Sequence, residues 1–427
     1  MNLRFRSGGR IYYGWVIVAV MGTTGAVSMA MGTLNFGLFI KPMGDELGIG
    51  RSTFGWAATA RQFSSSVTSP IIGPLIDRYG VRIMLPIAAL FTGGAMIGLA
   101  YVEHAWQLVL WFSVMGLVGM SGPGALVTSV PVLKWFVRNR GKAVAFMSLG
   151  IPAGALVFVP LTQVLIDHVG WRDAWVILAI LGMVIIVPVS LIFVRRQPED
   201  VGLLPDGDVP DEVAVVTGPR WHMAEELSFT SGQAVRTINF WSLVVVFSMV
   251  MLAMGIIGVH RIPAFLNRGV DAGLVSLATA FDAVVAGVAT FAFGFSVRKV
   301  PVRFLGCLGF IFLAIASVIT IYADNFALVF ISMAVFGAGV GGMMFLHSYI
   351  WAEYFGREHL GSIRGLVMPI NLVVGGAGAP IAGYVHESTG SYDSVWWVGV
   401  GLMIAAAVLV LLTRAPRSPA VSRPDRL

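Results

Sequence analysis

"GPLIDRYGVR", residues 73–82, is a short polar turn between two long apolar runs. "GFSVRKVPVR", residues 294–303, sits in the same setting 221 residues later. The offset recurs elsewhere. "KWFVRNRG" (134–141) is echoed by "EYFGREHLG" (353–361), and "VPLTQVLIDHVGWRDAW" (159–175) by "APIAGYVHESTGSYDSV" (379–395). The last match pairs Pro160 with Pro380, Gly170 with Gly390 and Asp173 with Asp393. Each match is loose alone, but their shared spacing argues that one half of the chain duplicates the other.

The runs around these turns set the fold class. The 427 residues are 57% hydrophobic and only 12% charged, against about 25% charged in a soluble domain. A hydrocarbon core about 30 Å thick takes roughly 20 apolar residues per helix. Twelve segments reach that length: 12–40, 52–75, 82–102, 107–133, 142–167 and 172–194, then 238–262, 273–297, 303–322, 325–351, 363–386 and 394–413. We number them spans 1 to 12. The expected fold is an all-α membrane protein whose twelve transmembrane helices form two pseudo-symmetric six-helix bundles. The expected division is a first bundle at 1–194, a linker at 195–237, a second bundle at 238–413 and a tail at 414–427. The first apolar run is too long for a signal peptide and reads as a retained helix. A lone cysteine, Cys307, allows no internal disulfide.

Charge orients the spans. With both termini and the linker on the cytoplasmic side, 22 of the 28 Lys and Arg fall in cytoplasmic segments. Lys41, Arg51, Arg172, Arg261 and Arg268 fall outside, and Arg61 falls inside a span. The net charge of +6 is therefore an orientation signal, with no nucleic-acid partner in it. The expected location is the bacterial inner membrane, multi-pass, with the lipid bilayer as the surrounding partner.

The turn at 73–82 resembles the signature loop between helices 2 and 3 of the major facilitator superfamily: glycine, apolar residues, Asp-Arg, glycine, a basic residue. "YYGW" (12–15), "LGIGRS" (47–52), "GWRDAW" (170–175) and "RRQPEDVGLLPDG" (195–207) look like the monocarboxylate-transporter-like and oxalate/formate-like branch in its bacterial form. The resemblance implies two six-helix halves rocking about a central site. The loop has its own physical reading as a conformational latch of Gly73, Asp77, Arg78, Gly80 and Arg82. Asp77 has Arg78, Arg82 or a neighbouring helix terminus as candidate partners, while the glycines permit close backbone approach. Anchoring of the loop without switching is the plainer alternative. Arg298 holds the equivalent place in the second half, so only the first half has the full latch.

Two charges lie deep in spans, Arg61 in "AATARQFSSSVTSP" (57–70) and Asp282 in "ATAFDAVVAG" (278–287), 221 residues apart. Arg61 stands about 24 Å from Asp77 along a helix, too deep to snorkel. An intramembrane charge costs about 2.5–3.5 kcal/mol on insertion scales and usually faces a cavity or a partner. Arg61 offers a carboxylate a bidentate fork, with Asp282 as counter-charge or proton carrier; a permanent salt bridge between helices is the bland alternative. In the resembled family a lysine in helix 1 and an arginine four residues after the helix 8 aspartate are positive partners. Here those places hold Thr33 or Leu34, and Ala286. The helix 11 basic residue of the oxalate transporter is absent from 366–385. The aspartate fits the resemblance, its cation does not, and Arg61 is the expected substitute.

Asn35, Gln62 and Asn371 are candidate substrate contacts, with hydrogen bonding between helices as the alternative. His260 beside Arg261 is a candidate anion entrance or an ordinary interfacial pair. His347 is a candidate proton relay or a bonded structural histidine. The glycine-rich stretches at 116–124 and 337–344 lie inside spans, where close helix packing explains them better than phosphate binding. With no nucleophile–base set, metal cluster or nucleotide loop in the pattern, an enzyme is disfavoured and neither metal nor cofactor is expected. The leading expectation is secondary active transport of a small organic anion, a monocarboxylate, with protons by symport or by anion exchange. Proton-coupled efflux of drugs or metabolites and a non-transporting sensor of the same fold are the alternatives. A monomer suffices for either half-rocking scheme.

Overall fold

A computed structural model describes residues 12–30, 33–118, 126–207, 228–258 and 260–416. Among these residues there is no strand. Parts of the expected linker (208–227), of the tail (417–427) and of the glycine stretch at 116–124 lie outside them, as does the start of the chain.

Every apolar run becomes helix. Span 1 is Tyr13–Ala30 continued by Thr33–Leu47, span 2 is Arg51–Tyr79 and span 3 is Val81–Ala100. Span 4 comprises Ala105–Gly116 and Leu126–Trp135. Span 5 begins as Arg140–Ser148 and continues into Gly150–Phe193, which also contains span 6. The break between those two is Gly170, whose φ of 84° lies in the left-handed region where a side chain is disfavoured. Span 7 is Ile238–Gly258 plus Arg261–Asn267, span 8 Ala272–Ser296, span 9 Val302–Tyr322 and span 10 Phe326–Phe355. Span 11 is Leu360–Gly376 plus Gly378–Thr389, and span 12 is Asp393–Leu412. Large apolar side chains stay exposed along the outside, among them Val184, Ile192, Leu277 and Val398, as a lipid-facing surface requires.

The contacts between the halves gather at one end of the molecule, here called the latch end. Span 2 packs along span 11 and span 5 crosses span 8. Each crossing is glycine against glycine. A Cβ on Gly361 would lie 2.6 Å from the Gly73 carbonyl oxygen, and one on Gly294 2.6 Å from that of Gly141. The repeat offset exchanges the pairs: Gly73 corresponds to Gly294, and Gly141 to Gly361. Helices meet this closely only where neither carries a side chain.

The motifs behind the resemblance meet in space. The Tyr12 hydroxyl donates to the carbonyls of Trp135 (3.0 Å) and Leu204 (3.1 Å). Asp206, at φ 59°, accepts from the amides of Val137, Arg138 and Asn139 at 2.9, 2.7 and 3.1 Å. At the far end, Trp171 donates to Glu46 at 2.6 Å and Arg172 pairs with the same carboxylate. These hydrogen bonds, Trp171's first, hold the Glu46 carboxyl below its usual pKa.

Candidate functional site

Asp77 closes the helix of span 2 and reaches across to the other half. Its Oδ2 accepts from the Ser362 amide (2.7 Å) and hydroxyl (2.8 Å), and its Oδ1 from the Gly361 amide (3.2 Å). These are orphan donors of the first turn of Leu360–Gly376, where a carboxylate is also favoured by the helix dipole. Lys134, 3% exposed, completes the site at 3.0 Å from Oδ1. Of the candidate partners of Asp77, the helix terminus is the one realised. Arg82 instead donates through Nε to the Leu191 carbonyl at 3.0 Å, and Arg78 lies 5.3 Å from the Tyr79 ring centroid. Gly80, at φ 76°, makes the turn between spans 2 and 3. The Lys134 ammonium also donates to the Glu358 carbonyl (3.2 Å), and Arg357 links the Lys134 carbonyl (2.7 Å) to Glu199 (2.5 Å).

Asp282 and Arg61 are not brought together as a pair. Asp282 is paired with Arg261, which comes from the second piece of span 7. The reading of Arg261 as a rim residue is therefore corrected: it is 7% exposed, because the helix continues to Asn267 and carries residue 261 below the surface. The guanidinium lies 4.0 Å from the Phe336 ring centroid, a cation–π geometry. Asp282 packs against Gly337 of span 10, where an added Cβ would come within 2.7 Å of its Oδ1. One edge of Arg261 thus meets Asp282 and a face meets Phe336. Its Nε and Nη1 are buried with no hydrogen-bond partner among the described residues. Arg61, 8% exposed, sits where span 2 packs on span 4 at Gly116. Equivalent helices of a duplicated fold lie on opposite sides of the molecule, so equivalent depth did not mean contact.

The remaining candidates divide. Asn35 is fully buried and donates to Thr162 of span 5 (2.6 Å) and to the Ala30 carbonyl (3.0 Å), which makes it a tie between helices. Asn371 accepts from Ser248 of span 7 at 3.0 Å, and its Nδ2 has no partner among the described residues. Gln62 is exposed. It continues the stripe of Ser66, Ser69 and Gly73 that faces span 11, one turn beyond the Ser66 bond to the Pro369 carbonyl (3.2 Å). His260 places Nε2 3.0 Å from the Ala379 carbonyl and Nδ1 3.3 Å from the Tyr392 hydroxyl. A carbonyl only accepts, so Nε2 carries a proton and the ring clamps span 7 to spans 11 and 12. His347 lies ten residues beyond Gly337 on span 10, about 15 Å from the level of Asp282. The two proton-coupling candidates therefore do not touch.

Sequence reasoning missed Lys134 and Arg364, and it placed Arg261 at the rim without its pairing to Asp282. Arg364 was counted with the cytoplasmic charges, yet it is 1% exposed in span 11 and donates to Ser129 of span 4 at 2.5 Å. Both arginines stand within two residues of a span end, where the charge count assigns them to the water outside. "IPAFLN" after Arg261 and "LGSI" before Arg364 continue the apolar pattern, and that was the available signal. Lys134 had none, since its partner lies 57 residues away.

Comparison with known proteins agrees with the fold. The family model of the Major Facilitator Superfamily matches residues 20–269 and 262–427. Monocarboxylate transporter 13 of Bos taurus is 24% identical over 93% of this chain and 89% of its own. The oxalate:formate antiporter of Oxalobacter formigenes is 23% identical over 81% of this chain and 79% of its own. The solved proton:xylose symporter XylE superimposes with a TM-score of 0.70 at 14% identity, over 95% of this chain and 96% of that one.

Proposed function

This chain belongs to the major facilitator superfamily, and from that premise we propose that it is a secondary active transporter that carries a small organic anion, a monocarboxylate, together with a proton. The observation that carries the reading is the buried Arg261 guanidinium, held by Asp282 on one edge with Nε and Nη1 unpartnered among the described residues. The chemistry follows from charge balance. While Asp282 is ionised it neutralises Arg261. A proton on Asp282 removes that charge and releases the fork, and an incoming carboxylate restores neutrality by binding bidentately. Proton and anion then move as a neutral pair, which lowers the cost of carrying either through a low-dielectric site.

Arg261 takes the part expected of Arg61 and fills, from span 7, the place left empty by Ala286 on span 8. The anion class draws support from the similarity to monocarboxylate transporter 13 and to the oxalate:formate antiporter. With the latch end assigned to the cytoplasm by the positive-inside rule, the latch contacts keep the cytoplasmic side closed, and alternating access rocks the halves about the latch. The bacterial inner membrane is the proposed location.

Uptake of radiolabelled formate, acetate, lactate, pyruvate and oxalate into proteoliposomes, driven by an inward proton gradient, tests the proposal. Saturable proton-driven uptake, abolished in Arg261→Gln and uncoupled from protons in Asp282→Asn, is the expected result. A correctly inserted protein that moves none of these carboxylates would overturn it. Arg61→Gln is expected to retain uptake, since Arg61 lies apart from the pair.

A further inference from the structure

We infer that the outer groove between spans 1 and 5 binds an anionic phospholipid of the latch-side leaflet, with one acyl chain along the groove and the headgroup phosphate on Lys142. The site lies apart from the Arg261–Asp282 pair and does not depend on which cargo the protein carries.

The groove has a volume of about 620 Å³ and is lined by Trp15, Val18, Gly22 and Ala26 of span 1 and by Phe146 and Leu149 of span 5. Thr23 supplies the one hydroxyl of its lining, and no charged residue lines it. It therefore suits a hydrocarbon chain and not a carboxylate. Its floor is made where Gly22 and Ala26 meet Gly150 and Gly154, whose missing side chains let the two helices touch without filling the space above them. Trp15 to Ala26 spans about 16 Å of helix, which matches one leaflet of a hydrocarbon core about 30 Å thick.

The mouth faces lipid. Phe146 and Phe295 are each 44% exposed although they sit at the end where the halves are closed on each other. This face therefore opens sideways and not into a passage between the halves. Phe146 meets Phe291 at 5.2 Å and Phe295 at 6.4 Å, which extends the apolar wall from the first half onto span 8. Trp15, 5.7 Å from Phe146, stands at the latch-side end, where an indole suits the membrane–water interface.

Charge selects the lipid. Lys142 stands one helical turn before Phe146 on the same face of span 5. Its ammonium lies 5.3 Å from the Phe295 ring centroid and has no ion pair among the described residues. The cation is held by a ring and is not neutralised by an acid. Three acids of the latch end are committed elsewhere: Asp77 to Lys134, Glu199 to Arg357, and Asp206 to the amides of Val137, Arg138 and Asn139. Arg298 and Lys299, both exposed, follow Phe295 by about one turn and add positive charge at this end. A phosphate with no cation of its own completes this arrangement, whereas a zwitterionic headgroup brings a second positive charge against Lys142.

The test uses the full chain in phosphatidylcholine bilayers, into which phosphatidylglycerol or phosphatidylcholine with brominated acyl chains is titrated. Bromine quenches an indole only on close approach, and the difference between wild type and Trp15→Phe isolates the signal of Trp15. Brominated phosphatidylglycerol is expected to quench Trp15 at about fivefold lower mole fraction than brominated phosphatidylcholine, the worth of one cation near an anionic headgroup. Lys142→Gln should make the two lipids equal, and Lys142→Arg should keep the preference. Ala19→Phe puts a ring into the groove from an exposed lining position and should reduce the quenching of Trp15 by phosphatidylglycerol. Equal quenching by the two lipids in the wild type, or none by either, would mean ordinary surrounding lipid only and would overturn the site. A preference that survives Lys142→Gln, or quenching untouched by Ala19→Phe, overturns it too. If Trp15→Phe does not fold, native mass spectrometry decides: wild type and Lys142→Gln that retain equal numbers of phosphatidylglycerol molecules overturn the proposal.

Discussion

The two crossings at the latch end are related by the duplication and differ in chemistry. Spans 2 and 11 meet at Gly73 and Gly361 and then add charge: Asp77, Lys134 and the amides of Gly361 and Ser362. Spans 5 and 8 meet at Gly141 and Gly294 and then add rings: Phe146 lies 5.2 Å from Phe291, and Lys142 lies 5.3 Å from the Phe295 centroid. The cause is legible in one position. The repeat places Arg298 where Asp77 would recur, and an arginine cannot accept from a helix N-terminus. A charged latch is strong when complete and costly when half-removed, whereas an aromatic contact loses little from any one change. The lesson is that the duplicated crossings share their glycine contact and differ in how much each loses to a single change.

Asp77→Asn should have the largest effect. It leaves Lys134 buried without its counter-charge, a change worth about 3–5 kcal/mol in buried pairs. Alkylation of a cysteine placed at position 362, in a Cys307→Ala background, should rise strongly as the latch end opens. An unchanged rate would show that the charge is not what closes it. Adding Lys134→Met to Asp77→Asn should recover much of the protein's thermal stability in detergent, because the stranded charge is gone. Failure to recover would place the energy in the helix-terminus bonds instead.

Gly141→Val and Gly361→Val insert bulk into equivalent contacts, and each should cost about 1–3 kcal/mol of latch closure. Uptake should fall by similar factors in both; a tolerated substitution on one side would show that the crossings are not equally tight. Lys142→Gln tests the aromatic side and should cost about 0.5–1 kcal/mol at most, with uptake near wild type. The smallest effect concerns the far end. Because hydrogen bonds depress the Glu46 pKa, the tie to Trp171 and Arg172 is present at neutral pH and is lost as pH falls through the depressed value. Glu46→Gln should flatten that acid dependence of thermal stability without altering uptake.

The sequence by itself determined the helical fold, the number of spans and the duplication, because a bilayer imposes length and apolarity on every spanning helix and repeats keep their spacing. It also picked out Asp77 and Asp282, two carboxylates that the structure holds in ion pairs. Only the tertiary structure decided the partners. Arg261 and Asp282 are 21 residues apart, Asp77 and Ser362 are 285 apart, and Arg364 and Ser129 are 235 apart. No local pattern encodes such meetings, since a side chain's partner depends on which helices the packing sets side by side. Arg261 and Arg364, both buried, stand at the ends of spans, where a shift of a few residues separates solvent from membrane. Depth along a helix is written in hydropathy; the direction a charge faces, and what stands opposite it, follows from how the twelve helices pack.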